Sequence, residues 1–244
     1  MCRSSVIAII TLSVVMVTSI GLNVLVSRLA RKFYVELSGS RIDPLGLKSY
    51  PRATGPLPSP SLLFYGDSRA KEWPSPDGLK NTLFINRGIG NQTTAQALGR
   101  FQAHVSSLKP DVIVVQAGVN DLKAIPLFSS RKKELIDDCK ANISRIVNDS
   151  VECGARVVVT TIFPLGKVPV ERWPVWSGDV AAAIGEVNAH IKTLAGEKVT
   201  VFDTAQILTN EQGIVFPKYS RDLLHLTPEG YAALNRELVK ILVP

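Results

Sequence analysis

Five short apolar runs alternate along the chain with stretches whose apolar residues recur at helical spacing. The runs are Leu62 to Tyr65, Leu83 to Ile85, Val112 to Val115, Val157 to Ile162 and Val199 to Phe202. The helical stripes comprise Ala95, Leu98, Phe101, Val105 and Leu108; Leu135, Cys139, Ile143 and Ile146; Val180, Ile184, Val187, Ile191 and Leu194; and Tyr231, Leu234, Leu238 and Ile241. Runs without polar alternation suit strands buried on both faces, and helical crossovers between them make those strands parallel. The expected fold class is therefore α/β: a three-layer α/β/α domain on a flavodoxin-like five-stranded parallel sheet, preceded by one N-terminal transmembrane helix. Chemistry in such a sheet is sought at the carboxyl ends of the strands, near the switch in strand order.

The transmembrane expectation rests on Val6 to Val26, 21 residues without a charge. As a helix they span about 31 Å, against a hydrocarbon core of roughly 30 Å. A cleaved signal peptide is the competing reading, because Ser19, Ile20 and Gly21 offer a small-residue cleavage site, but the run is longer than the usual signal core. Cys2 precedes the run rather than following it and so is not a lipoprotein cysteine. The domain organisation read from the sequence is an anchor with basic flank over 1–32, a linker over 33–60 and a globular domain over 61–244. Pro44, Pro51, Pro56, Pro58 and Pro60 exclude a regular helix from the linker and suit a stiff, extended tether.

Charge narrows the partners. The net charge is +7, but residues 1–32 hold Arg3, Arg28, Arg31 and Lys32 and no acid, leaving 24 basic against 21 acidic groups in the other 212 residues. That balance speaks against nucleic acid as a partner, since phosphate neutralisation needs a basic face. Arg28, Arg31 and Lys32 outnumber Arg3, which favours a cytoplasmic globular part, although large domains behind an early apolar segment translocate despite such a bias. Three cysteines supply no disulfide framework, and Cys139 and Cys153 fall about 20 Å apart along one expected helix, too far to bridge.

Four strand ends carry polar residues. The first strand runs into Gly66-Asp67-Ser68-Arg69, which sets a hydroxyl at the sheet edge beside the N–H groups of a new turn. The second ends in Asn86-Arg87-Gly88-Ile89-Gly90-Asn91-Gln92-Thr93; a dinucleotide fingerprint fits poorly, because Thr93 stands at the third glycine position and the motif follows the second strand. The third ends in Gly118-Val119-Asn120-Asp121, where the amide is either a turn residue or a donor to a developing oxyanion. Before the last helix, capped by Thr227 with Pro228 at its first position, stands Asp222-Leu223-Leu224-His225. Three residues apart on one turn, the carboxylate can hold one ring nitrogen and leave the other to take a proton. His104 and His190 fall within helical stripes and read as packing or surface residues.

In their order and positions these four blocks resemble the SGNH hydrolases, the GDSL esterase and lipase superfamily, over about residues 61–244. The resemblance implies the three-layer sheet and a serine esterase cutting a carboxylic ester, from an acetylated carbohydrate or a lipid, through an acyl-serine. It implies Ser68 as nucleophile, His225 as general base and then acid, and Asp222 as the group orienting His225. The oxyanion donors would be the Ser68 N–H, the Asn91 N–H and the Asn120 side chain. The family usually has Gly-Gly where this chain has Gly90-Asn91; asparagine keeps the N–H and tolerates positive φ, but its side chain intrudes on the pocket.

No cofactor and no metal are implied, and neither an HExxH pattern nor clustered Cys and His is present. The partners implied are a small-molecule or glycan ester and, through the N-terminal helix, a membrane. Against the local charge bias, the resemblance favours an extracytoplasmic domain. An O-acyltransferase with the same triad, or a non-catalytic carbohydrate- or partner-binding domain on the same fold, would fit these residues too. Arg69 and Trp73 are left out of the site, Arg69 as a solvated or ion-paired side chain. Trp173 and Trp176, in the segment Gly166 to Gly178, read either as an aromatic wall for an acyl chain or sugar or as a packed surface loop.

Overall fold

The structure is a computed structural model that describes residues 3–79, 81–211 and 213–243. Two compact units divide at Pro44 and Leu45. The first is a single exposed helix, α1 (Arg3–Ile42), long and apolar enough to cross a membrane. It continues ten residues past the expected anchor and ends two residues before Pro44, where the proline ring and the lost N–H forbid continuation. Cys2 lies outside the described residues.

The second unit holds β1 (Ser61–Gly66), α2 (Ser68–Lys71), β2 (Leu83–Gly88), α3 (Thr94–His104), β3 (Val112–Gln116), α4 (Val119–Leu122), α5 (Lys132–Glu152), β4 (Arg156–Thr160), α6 (Asp179–Lys192), β5 (Val199–Phe202), α7 (Ala205–Leu208) and α8 (Pro228–Leu242). Its strands are all parallel, in the order β2-β1-β3-β4-β5. Each of the five apolar runs holds a strand, the fourth running two residues past the end of β4, and all four stripes lie in or beside long helices, so the α/β expectation holds.

The period of two along each strand sorts side chains to opposite faces. Leu63, Tyr65, Ile113, Val115, Val157 and Val159 pack with α3, α5 and α6 on one side. Leu62, Phe64, Val114 and Val158 pack with α8 on the other. Both faces being covered explains why the runs are continuously apolar. A fully buried phenylalanine such as Phe64 is worth about 3–5 kcal/mol against alanine.

The linker expected over 33–60 includes residues that pack on the body. Residues 51–60 lack helix, as their prolines require, yet the segment from Leu45 lies against the body instead of standing free. Ala53 N–H donates to the Ala103 carbonyl at 3.0 Å and Leu57 N–H to Leu108 at 2.7 Å. Leu45 occupies the space that a side chain on Gly99 of α3 would fill, its Cδ2 2.8 Å from the position of such a Cβ.

Strand order reverses at β1, which has β2 on one side and β3 on the other. The loops leaving these three strands therefore diverge around one point at the carboxyl edge.

Candidate active site

Ser68 opens α2 immediately after β1. The turn requires Gly66: its φ is +147°, and an added Cβ would stand 1.7 Å from the Gln116 carbonyl oxygen on β3. Asp67 caps the helix by accepting from the Arg69 N–H at 2.8 Å. The serine hydroxyl is left half-buried at the sheet edge and lies 2.9 Å from His225 Nε2.

Asp222 and His225 come from the loop before α8. One oxygen of Asp222, Oδ1, accepts from the N–H groups of Leu224 and His225, both at 2.8 Å, while Oδ2 lies 2.9 Å from His225 Nδ1. Because a carboxylate only accepts, Nδ1 carries the ring proton and Nε2 is free to accept from Ser68. Burial raises the Asp222 pKa, but these hydrogen bonds outweigh it and hold the carboxyl below its ordinary range. The structure thus brings Ser68, His225 and Asp222 into one hydrogen-bonded chain.

The two remaining predicted residues lie in the turn after β2 and in α4. Asn91 has φ +62°, the left-handed conformation for which glycine and asparagine are suited, and it is exposed. Its turn lies against the nucleophile: the Cβ position of Gly90 is 4.0 Å from Ser68 Cβ. Asn120, buried in α4, donates through Nδ2 to the Gln92 carbonyl at 2.9 Å. That bond fixes the amide plane and leaves the second Nδ2 proton unspent. Asp121 accepts from both the N–H and the hydroxyl of Thr94, at 2.9 and 2.6 Å, locking the third strand end to the start of α3.

Arg69 is not the solvated or ion-paired side chain expected from the sequence. Its side chain is fully buried, and it donates through Nε to the Leu224 carbonyl at 2.6 Å and through Nη1 to the Phe163 carbonyl at 3.0 Å. Burial lowers its pKa to about 10, opposed by the neighbouring Asp67. Trp73 is a core residue, stacked among Phe64, Phe163 and Tyr231 and donating to Asn235. His104 and His190 are packing residues: His104 meets the Leu47 carbonyl at 3.2 Å, and His190 the Ser144 hydroxyl at 2.8 Å.

Trp173 is exposed, whereas Trp176 is half-buried and lines a cavity of about 990 Å³. That cavity is walled by Leu165, Val168, Ala181, Ile184 and Ile214 among others, and it reaches Ser220 and Gly166 behind the Asp222 loop. Ser68, His225, Asn91 and Asn120 do not line it. Among the described residues no group of three or more His, Cys, Asp or Glu is arranged to hold a metal ion.

A five-stranded parallel sheet covered by helices on both faces thus carries, at its carboxyl edge, a serine, a histidine and a carboxylate in one hydrogen-bonded sequence. The chain belongs to the GDSL-like lipase/acylhydrolase family, whose profile matches residues 64–233, and it is accordingly a hydrolase acting on ester bonds. A search of curated proteins finds no match. Among solved structures, a GDSL-like lipase from Bacteroides thetaiotaomicron is 24% identical with a TM-score of 0.58, covering 75% of this chain and 87% of that one. A catalytic mutant of an acetylxylan esterase from Geobacillus stearothermophilus is 17% identical with a TM-score of 0.60, covering 78% and 96%. At these identities they share the fold.

Proposed function

We propose that this protein is a membrane-tethered serine esterase that hydrolyses a carboxylic ester through an acyl-serine at Ser68. The observation that carries the reading is the chain Ser68 Oγ to His225 Nε2 and His225 Nδ1 to Asp222, each link 2.9 Å. As Oγ attacks the ester carbonyl carbon, its proton passes to Nε2, and the imidazolium formed is held by Asp222. The carbonyl oxygen, now anionic, takes hydrogen bonds from the N–H groups of Ser68 and Asn91 and from Asn120 Nδ2. One such donor is worth about 3–4 kcal/mol in the transition state, more than any surface ion pair here contributes. His225 then returns the proton to the departing alkoxide, and water repeats the attack on the acyl-serine to release the acid.

The substrate class proposed is an acetylated carbohydrate or a lipid ester. The acetylxylan esterase activity named for one structural neighbour supports the first, and the long apolar α1 supports substrates met at a membrane. The catalytic domain is placed on the extracytoplasmic side in this reading, and α1 is retained as an anchor.

Hydrolysis of p-nitrophenyl acetate and longer homologues by the full chain in detergent, with labelling by a fluorophosphonate, tests the reading. Both are expected to vanish in Ser68→Ala. A folded wild-type chain that neither turns over nor labels overturns it. Product analysis on an acetylated glycan, with and without an added alcohol acceptor, distinguishes hydrolysis from acyl transfer.

A further inference from the structure

The turn that carries Asn91 is held from two directions. Within the sheet edge, Ile89 N–H donates to the Gly66 carbonyl at 3.0 Å and Gly88 N–H to Asn86 Oδ1 at 2.9 Å. Further contacts come from outside the family match, which begins only at residue 64. Tyr50 donates its hydroxyl to the Gly88 carbonyl on one side of the turn, and its ring lies 4.9 Å from the Arg87 guanidinium. On the other side, Gln92 Nε2 donates to the Leu45 carbonyl at 2.8 Å, while Gln92 Oε1 accepts from the buried Arg100. Gly46 lets this approach happen: its φ is +67°, and a Cβ there would meet Gln92 Nε2 at 2.9 Å and Ile89 Cδ1 at 3.0 Å.

Gln92 is the junction of these contacts. Its carbonyl takes the Asn120 amide at 2.9 Å, and Arg100, which holds its side chain, donates through Nη2 to the Gly66 carbonyl at 2.9 Å. A shift at Gln92 therefore reaches both the Asn91 N–H and the Asn120 side chain. Oxyanion donors act over a narrow range, about 2.7–3.1 Å, so a displacement of a few tenths of an ångström is felt in rate before it is felt in binding.

We propose that the segment Leu45–Ala53, which joins the body to α1, is a positioning element of the active site that clamps the turn Gly88–Gln92 and thereby sets the geometry of the oxyanion donors. The proposal rests on the esterase reading above. The segment contributes no reacting group; it acts through the Gly88 carbonyl and the Gln92 side chain.

The test uses the full chain in detergent micelles, with Tyr50→Phe, Tyr50→Ala and Gly46→Ala. Removing the hydroxyl alone is expected to lower kcat about 3-fold, and Tyr50→Ala and Gly46→Ala about 10-fold or more, each with KM within 2-fold and with fluorophosphonate labelling slowed in parallel. Amide hydrogen exchange is expected to accelerate over residues 88–92 and to stay unchanged in β3 and β4. A merely structural role would instead leave kcat of the folded fraction untouched. Should Tyr50→Ala fail to fold, Tyr50→Phe, which lacks one oxygen atom, carries the comparison. An active wild type whose folded variants keep kcat within 2-fold and unchanged exchange over 88–92 overturns the clamp alone. A wild type with neither turnover nor labelling overturns the esterase reading, and the proposal falls with it.

Discussion

Arg69 Nε donates to the Leu224 carbonyl at 2.6 Å, so the residue after Ser68 holds the residue before His225. The same guanidinium reaches the Phe163 carbonyl, and Tyr231 donates its hydroxyl to the Arg69 carbonyl at 3.1 Å. Nucleophile and base, 157 residues apart in sequence, are thus braced through one buried side chain. Arg69→Met strips two carbonyls of their donor, each costing roughly 1–3 kcal/mol when left unsatisfied. It is expected to lower stability by about 3 kcal/mol and kcat at least 10-fold, with KM little changed. Arg69→Lys, which retains the charge and one donor, should fall between. Denaturant melts beside steady-state kinetics provide the check; a folded Arg69→Met with wild-type kcat would remove the brace from the account.

Asp222 differs from a buried triad carboxylate in being half exposed, its side chain 50% accessible against 23% for His225. Its two backbone hydrogen bonds make the loop itself depend on an acceptor at this position. Asp222→Asn keeps one carbonyl acceptor but presents an N–H₂ to the ring or to the backbone. Water reaches the site and softens the loss, so the expected drop in kcat is about 1,000-fold, below the roughly 10,000-fold of a buried aspartate. Single-turnover acylation by p-nitrophenyl acetate measures it directly; a loss under 10-fold would mean that Asp222 does not orient the base.

The sheet and the four polar blocks were legible because each has a local cause. Burial on both faces writes a continuous apolar run, and a glycine whose Cβ would strike a neighbouring carbonyl, as at Gly66, is written as glycine. Arg69 was not legible. Its acceptors are backbone carbonyls 94 and 155 residues away, and a carbonyl leaves no mark on the sequence that supplies it. The contacts of the segment from Leu45 are hidden for a related reason: its grip depends on single residues, Leu45 against Gly99 and Tyr50 against Arg87, with no period to betray them. Prolines announced the absence of helix over residues 51–60, but not what the segment would lie against.

Asn91 stands at φ +62°, where an ordinary L residue costs roughly 1–2 kcal/mol and glycine costs nothing. Its predicted role uses only the backbone N–H. Asn91→Gly is therefore expected to keep wild-type kcat on p-nitrophenyl acetate while improving kcat/KM for bulkier acyl groups, since it removes an exposed side chain next to Gly90, whose Cβ position is 4.0 Å from Ser68 Cβ. Asn91→Ala should retain the N–H yet lose about 1 kcal/mol of stability. An acyl-length profile unchanged in Asn91→Gly would show that the side chain does not bound the pocket.

Asp67 gives a pH dependence with a definite sign. Burial pushes its carboxyl from the ordinary 3.8 up to about 6, against the pull of the Arg69 guanidinium and N–H, with Asp121 adding to the rise and Lys123 opposing it. Between about pH 4 and pH 6 the folded chain keeps a proton that the unfolded chain has released, so this group's contribution to stability falls as pH rises through that window. Two pKa units correspond to roughly 3 kcal/mol for a fully buried group. Asp67→Asn cannot titrate, whereas the carboxylates held below their ordinary range, Asp222 among them, remain in both proteins and cancel in the difference. The stability of Asp67→Asn relative to wild type should therefore rise by about 2–3 kcal/mol from pH 4 to pH 7 and then level off. Urea midpoints taken at half-unit intervals measure this. Parallel curves would mean that Asp67 is already ionised at pH 4, held there by Arg69 more strongly than burial opposes it.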